Sequence, residues 1–197
     1  EGVLSQVPRR HHAIYQAYRF WWHDDQHYAR QGNLVIPPDQ GAVFWESNYV
    51  NIMNLNFAIK SLQNDNLEAS QTVITKLTGE AHFWRAWSYF LIVRFWGDIP
   101  LLTEEDTDDY FTVLPNRSPV SDVYNLIIND FNIAIEKLQP NPGGVGRPNL
   151  DVAKAYLAKT YLTMATNPMN KTEYYSKAAE LLWEIIEDSR YELVDDV

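Results

Sequence analysis

Residues 79–102, GEAHFWRAWSYFLIVRFWGDIPLL, narrow the folds open to this chain more than any other stretch. Apolar side chains cover nearly every face from Ala81 to Trp96, so a helix here has to be enclosed on most sides. Gly97 supplies the left-handed cap position and Pro100 cannot continue a helix, so the chain must turn outward near Asp98. A helix this apolar needs neighbours all round it, and the flanking sequence offers helices to supply them.

Pro8 to Gln31 reads as a helix with Pro in its first turn and Ile14, Tyr18, Trp21 and Trp22 at three-to-four-residue steps. Gly32 to Gly41, with Pro37 and Pro38, reads as a loop. Trp45, Tyr49, Ile52, Asn56, Ile59 and Leu62 then trace the core stripe of the next helix. Leu67 to Trp96 supplies its hairpin partner, with Thr78 and Gly79 marking an irregularity, and Leu101 to Asn116 is an acidic loop. Ser118 and Pro119 form an N-cap and first-turn pair ahead of Val120, Val123, Tyr124, Ile127, Phe131, Ala134, Ile135 and Leu138. Five Pro and Gly residues between Gln139 and Arg147 break that helix. Asn149 or Asp151 caps the next, which bears Leu150, Ala153, Leu157, Tyr161 and Met164 and completes a second hairpin. Thr172 caps a fifth helix through Tyr175, Ala178, Ala179, Leu182, Ile185 and Ile186, with no hairpin partner in view, and Tyr191 to Val197 is extended. Almost no strand-period segment intervenes. The expected fold is all-α, with stacked helical hairpins in a tetratricopeptide-like superhelix, although unequal loops blur any 34-residue period. One domain over residues 1–197 accommodates all of it.

Composition removes several functions. A formal charge of -10 over 197 residues, with no Lys/Arg cluster against it, opposes phosphate backbones and makes nucleic acid a poor partner. The absence of cysteine removes disulfides, thiolate nucleophiles and thiolate metal ligands, without naming a compartment. Arg94 interrupts the best apolar run, so nothing reaches the roughly 18 uncharged residues a membrane span needs. No basic n-region or apolar h-region opens the chain, which is expected of a processed or truncated start.

Several landmarks agree in order with one family. Trp45, Tyr49, Ile52, Asn56 and Ile59 match its W-x3-Y-x2-I-x3-N helix, and Gly79, Glu80, Ala81, Phe83, Arg85 and Ala86 match its GEARFLRA run. Tyr89, Phe90, Val93, Gly97, Asp98, Ile99 and Pro100 continue it. Arg117 and Ser118, then Asp130 and Ala134, then Gly146 and Arg147 before Ala153 to Leu162, and finally Ala178, Ala179, Ile186, Tyr191 and Leu193 fall at the expected places. The chain resembles the SusD/RagB family over Gly41 to Val194, with residues 1–40 outside the landmarks. The resemblance implies a non-catalytic, lipid-anchored protein on the extracellular face of the outer membrane of Bacteroidota. Such a protein binds oligosaccharide or another nutrient and delivers it to a SusC-like TonB-dependent transporter. It also implies a longer protein, of which this is an N-terminal portion, and a lipidated cysteine that this chain does not carry. A helical protein-interaction scaffold without a glycan site is the alternative.

Sugar recognition needs flat aromatic faces beside groups that bond hydroxyls. FWWHDDQHYAR, residues 20–30, offers that mixture, and Trp21 and Trp22 point about 100° apart on a helix, so both cannot enter one core. In glycan-binding members the segment before the W-x3-Y helix contributes to the site. Trp21, Trp22, Asp24, Arg30, Trp45 and Asn48 are therefore the expected ligand contacts. Arg85 and Asn56 on apolar faces read as structural, the first paired to Glu80 or Asp98 and the second bonded to a neighbouring helix. Trp84, Trp87 and Trp96 read as core. His23 and His27 have the i, i+4 spacing of a zinc pair, but Asp24 replaces the general-base Glu and no third ligand stands out beyond His11 or His12. Gly144-Val145-Gly146 lacks the lysine of a phosphate loop, and Glu104 to Asp109 lacks the glycine and distal Glu of a calcium loop. No cofactor or metal is expected.

Overall fold

A computed structural model describes residues 38–108, 115–140, 146–166, 168–188 and 190–191. Among them lie five helices: α1 Pro38–Leu62, α2 Gln71–Trp96, α3 Val120–Lys137, α4 Leu150–Ala165 and α5 Tyr174–Ile186. Each packs mainly on its neighbours in sequence, giving an array of consecutive antiparallel helices. The all-α reading is correct. None of these helices is long and apolar enough to cross a membrane.

Local chemistry explains most boundaries. α1 begins at Pro38, inside the stretch read as loop, because proline's fixed φ and missing N–H suit a first turn. α2 starts after Ser70, whose hydroxyl accepts from Val73 N–H at 3.4 Å, so Leu67 to Ala69 belong to the turn. It runs unbroken through Thr78 and Gly79. Gly79 is there for closeness: a Cβ would stand 3.0 Å from the side chains of Leu138 and Lys137, so the bare Cα lets the end of α3 lie against α2. Gly97 ends α2 at φ +67°, with its N–H on Val93 O, as its cap role predicts.

The start of α3 departs from the sequence reading. Ser118 lies in a two-residue strand β2, Arg117–Ser118, paired antiparallel with β1, Ile99–Pro100, and Pro119 stands at the cap without a side-chain bond. Asp98 does the capping from a distance, accepting from Val120 N–H at 2.9 Å. Asn149, not Asp151, caps α4 by accepting from Val152 N–H at 2.8 Å. Thr172 makes no side-chain cap for α5, since its backbone carbonyl forms the turn instead. That fifth helix does have a partner: α5 lies along α4, with Tyr161 and Tyr174 stacked at 5.0 Å and Ala178 fully buried between them.

The core runs between α2, α3 and α4. Phe83, Ala86, Tyr89, Phe90 and Val93 meet Val123, Ile127, Phe131 and Ala134, with Ala153, Leu157 and Tyr161 behind. Trp84, Trp87 and Trp96 are half-buried against this core, as expected.

Candidate functional site

A buried polar frame stands where α1, α2 and α3 converge. Arg85, 2% exposed, donates through Nε and Nη2 to the two oxygens of Asp130 at 2.7 and 2.9 Å, and through Nη1 to Asn56 Oδ1 at 2.8 Å. The same nitrogen reaches the carboxylate of Glu104 in a 3₁₀ turn, Glu104–Asp108. His82 Nδ1 is 2.7 Å from Asp130 Oδ1. The structural reading of Arg85 holds, but its carboxylates are Asp130 and Glu104. Glu80 instead takes a bidentate bond from Arg147 at 2.8 and 2.7 Å, tying α2 to the approach of α4. Asp98 caps α3.

This frame holds the extended segment after α2. Leu102 O accepts from Asn56 Nδ2 at 2.9 Å and from the Tyr89 hydroxyl at 2.7 Å, while Leu102 N–H donates back to that hydroxyl at 2.8 Å. Tyr49 donates to Pro100 O at 2.7 Å. Lys60 bridges to Thr107 and Asp108, both at 2.8 Å. Part of the expected acidic loop is thus a latch on α1 and α2, because buried backbone groups in a short loop need partners from the helices beneath.

Electrostatics follow from the geometry. Burial would push the Asp130 carboxyl up, but the bonds and charge of Arg85, joined by His82, hold it below the usual carboxylate range. Burial also opposes the Glu104 carboxylate, and Arg85 again outweighs it. Burial raises the Tyr49 hydroxyl, against the charge of Arg117. A carboxylate depressed in the fold stabilises it above its unfolded pKa, near 4, and that contribution is lost as pH falls through the folded value. Thermal melts from pH 7 to 2 should therefore stay level to about pH 5 and fall steeply below about pH 4. Glu104→Gln should shallow the acid limb, and an unchanged limb would show that acid unfolding starts elsewhere.

Aromatic rings gather on the neighbouring surface. Trp45 lies 4.7 Å from Tyr49 and 5.2 Å, edge-on, from Trp96, which stacks at 5.8 Å on Phe44, and Phe95 meets Phe44 edge-on at 5.5 Å. Trp45, Tyr49 and Trp96 are half-buried, a position that leaves ring surface for contact. Of the expected ligand contacts, Trp45 belongs to this group. Asn48 does not present its amide: it is 2% exposed and donates to Phe44 O at 2.8 Å, because it lies one turn before Ile52 on the core face. Trp21, Trp22, Asp24 and Arg30 lie outside the described residues, as do His11, His12, His23 and His27. Among the described residues no group of three His, Cys, Asp or Glu is placed to hold a metal ion.

Sequence reasoning missed Phe44 and Phe95 as members of the aromatic group, and Asp130 as the partner of Arg85. The second was findable, since Asp130 is a lone carboxylate on the apolar stripe Val123, Ile127, Ala134.

Comparison with known proteins places these features. Residues 2–162 match the sequence model of SusD-like proteins, described as starch-binding and associating with the outer membrane. The chain belongs to the SusD-like family. SusD-like protein P2 of Formosa agariphila is 30% identical over 165 residues, which is 82% of this chain and 30% of that protein. The crystal structure of a SusD superfamily protein from Parabacteroides distasonis aligns with a TM-score of 0.68 at 32% identity, over 76% of this chain and 32% of that one. A crystal structure with xylogluco-oligosaccharide aligns at 0.70 and 25% identity, over 79% and 31%. The chain thus spans about 30% of the length of each of these proteins. In SusD-like terms the GEA run and the GDIP turn are framework: Gly79 for approach, Glu80 for Arg147, Arg85 for Asp130, Asp98 for the α3 cap.

Proposed function

We propose that this chain is the helical part of a non-catalytic glycan-binding protein. The protein is lipid-anchored on the outer face of the outer membrane and passes oligosaccharide to a SusC-like TonB-dependent transporter. The observation that carries the reading is the aromatic group around Trp45 on a fold shared with a crystal structure solved with xylogluco-oligosaccharide. Rings of this kind offer faces to the C–H surfaces of sugars, with hydroxyls bonded by nearby polar groups. Trp45, with Trp21, Trp22, Asp24 and Arg30 from the preceding segment, would line the site. The Asn48 amide, already committed to Phe44, adds little. Non-catalytic action agrees with the buried carboxylates of the described residues, where Asp130 is engaged by Arg85, Glu80 by Arg147 and Asp151 by Arg190 and Tyr191.

Affinity gels and a glycan array, run on the full-length protein that contains this chain, test the reading. Retention on at least one glycan is expected, and Trp45→Ala should weaken it about tenfold, equivalent to about 1.4 kcal/mol. Full-length protein that no glycan or other nutrient retains would sink it. One observation favours a protein-interaction role instead: α5 leaves Trp183 58% and Ile186 66% exposed on its outer face. If Trp183→Glu abolishes a complex while Trp45→Ala changes nothing, that second reading stands.

A further inference from the structure

The aromatic group around Trp45 is uncharged, but at Tyr49 it meets a cation held by the β1–β2 ribbon. Tyr49, whose ring lies 4.7 Å from Trp45, donates to Pro100 O at 2.7 Å. Pro100 is the register partner of Arg117 in that ribbon. Neighbouring strands lie about 4.8 Å apart, so the Arg117 backbone stands one strand spacing from the residue on which Tyr49 rests. Arg117 is exposed and, among the described residues, takes part in no ion pair and no side-chain hydrogen bond. Its charge reaches the Tyr49 hydroxyl, where it opposes the rise that burial causes. Cations on the adjoining elements are engaged: Arg85 with Asp130 and Glu104, Lys60 with Asp108, and Arg94 over the Phe90 ring at 5.1 Å. The acids have other places. Asp98 accepts from Val120 N–H, Glu104 accepts from Arg85, and the exposed Glu46 follows Trp45 on α1 without pairing to Arg117.

We propose that Arg117 makes this site selective for glycans that carry an anionic group, binding a carboxylate or sulfate while Trp45 stacks on a sugar ring. This selectivity rests on the glycan reading above. A guanidinium presents two parallel N–H donors that fit the paired oxygens of either group, a stronger and more directional bond than a neutral donor makes. An uncharged sugar offers only hydroxyls, and exchanging water on Arg117 for one of them adds little. The molecule as a whole opposes an anion, with a formal charge of -10. An acidic glycan is therefore held only where a local cation outweighs that field, and beside Tyr49 that cation is Arg117. Glu46 sharpens the placement, since it repels an anion at the Trp45 end and leaves the Arg117 end favourable. Pairing with β1 fixes the Arg117 backbone, so no loop has to be ordered to bring the charge into place.

Affinity gels of polygalacturonate for carboxylate, carrageenan for sulfate, and neutral xyloglucan and laminarin, run in parallel on the full-length protein that contains this chain, test it. Wild-type protein should be retained on at least one anionic gel, and added salt should weaken that retention more than retention on a neutral gel. Arg117→Gln should weaken anionic retention about tenfold and leave neutral retention and the melting temperature unchanged. Arg117→Lys, which keeps the charge and loses the fork, should recover part of the loss. The gel that responds tells carboxylate from sulfate. Arg117→Gln binding like wild type, equal losses on neutral and anionic gels, or wild-type retention on neutral gels alone overturns the proposal and leaves the glycan reading standing. Retention on no gel overturns it as well, and the wider glycan array then decides whether the glycan reading falls with it.

Discussion

Asp130→Ala is expected to destabilise the fold by about 3–5 kcal/mol, lowering the melting temperature on the order of 10 °C. The change removes the carboxylate that holds both Nε and Nη2 of a guanidinium with almost no access to water. It also strips His82 of its partner. Glu104 alone cannot replace a bidentate buried pair, so the Arg85 charge is left only partly compensated. Most of the cost is that stranded charge and only part is the bond itself. A paired change follows from this reasoning: Arg85→Met with Asp130→Leu should cost clearly less than the two single changes summed. Urea unfolding of the four proteins of the cycle measures it, and strict additivity would contradict the account.

Phe131→Ala, one residue along α3, should cost a similar 3–5 kcal/mol for a different reason. Phe131 is fully buried, edge-on to Phe83 at 5.7 Å and stacked near Tyr156 at 6.2 Å, so truncation leaves a cavity among α2, α3 and α4. The two variants should separate in acid. Phe131→Ala lowers stability evenly across pH, while Asp130→Ala also removes part of the loss below about pH 4, because the depressed carboxylate is gone. Parallel acid limbs for the two variants would show that Asp130 does not report on proton uptake.

Helical stripes were legible because an apolar residue at the wrong phase would be exposed, and burial is what selects phase. Val123 to Leu138 shows this: Val123, Tyr124, Ile127, Phe131, Ala134 and Leu138 on the stripe are buried, and Ile135 is half-buried. Caps were legible only where the capping residue belongs to the same turn, as with the backbone of Gly97 and the side chain of Asn149. Ser118 misled because the cap of α3 comes from Asp98, a neighbour created by the fold itself. Arg85 could be read as paired, since a buried guanidinium must be, yet its partners lie 45 and 19 residues away, and only Asp130 is marked in sequence, as a lone carboxylate on an apolar stripe. The aromatic group was half legible. Trp45 stood out, but its contact with Trp96 joins the beginning of one helix to the end of the next and depends on how the hairpin crosses.

The Arg85 node also bears on how the array comes apart. Helices stacked only on their neighbours behave as a one-dimensional chain of couplings, free to fray from either end. Arg85, Asp130, Asn56 and Glu104 short-circuit that chain, binding α1, α2, the 3₁₀ turn and α3 at one point. These elements should therefore open as a single cooperative unit with the slowest amide exchange, while α5, anchored by one fully buried residue, exchanges first.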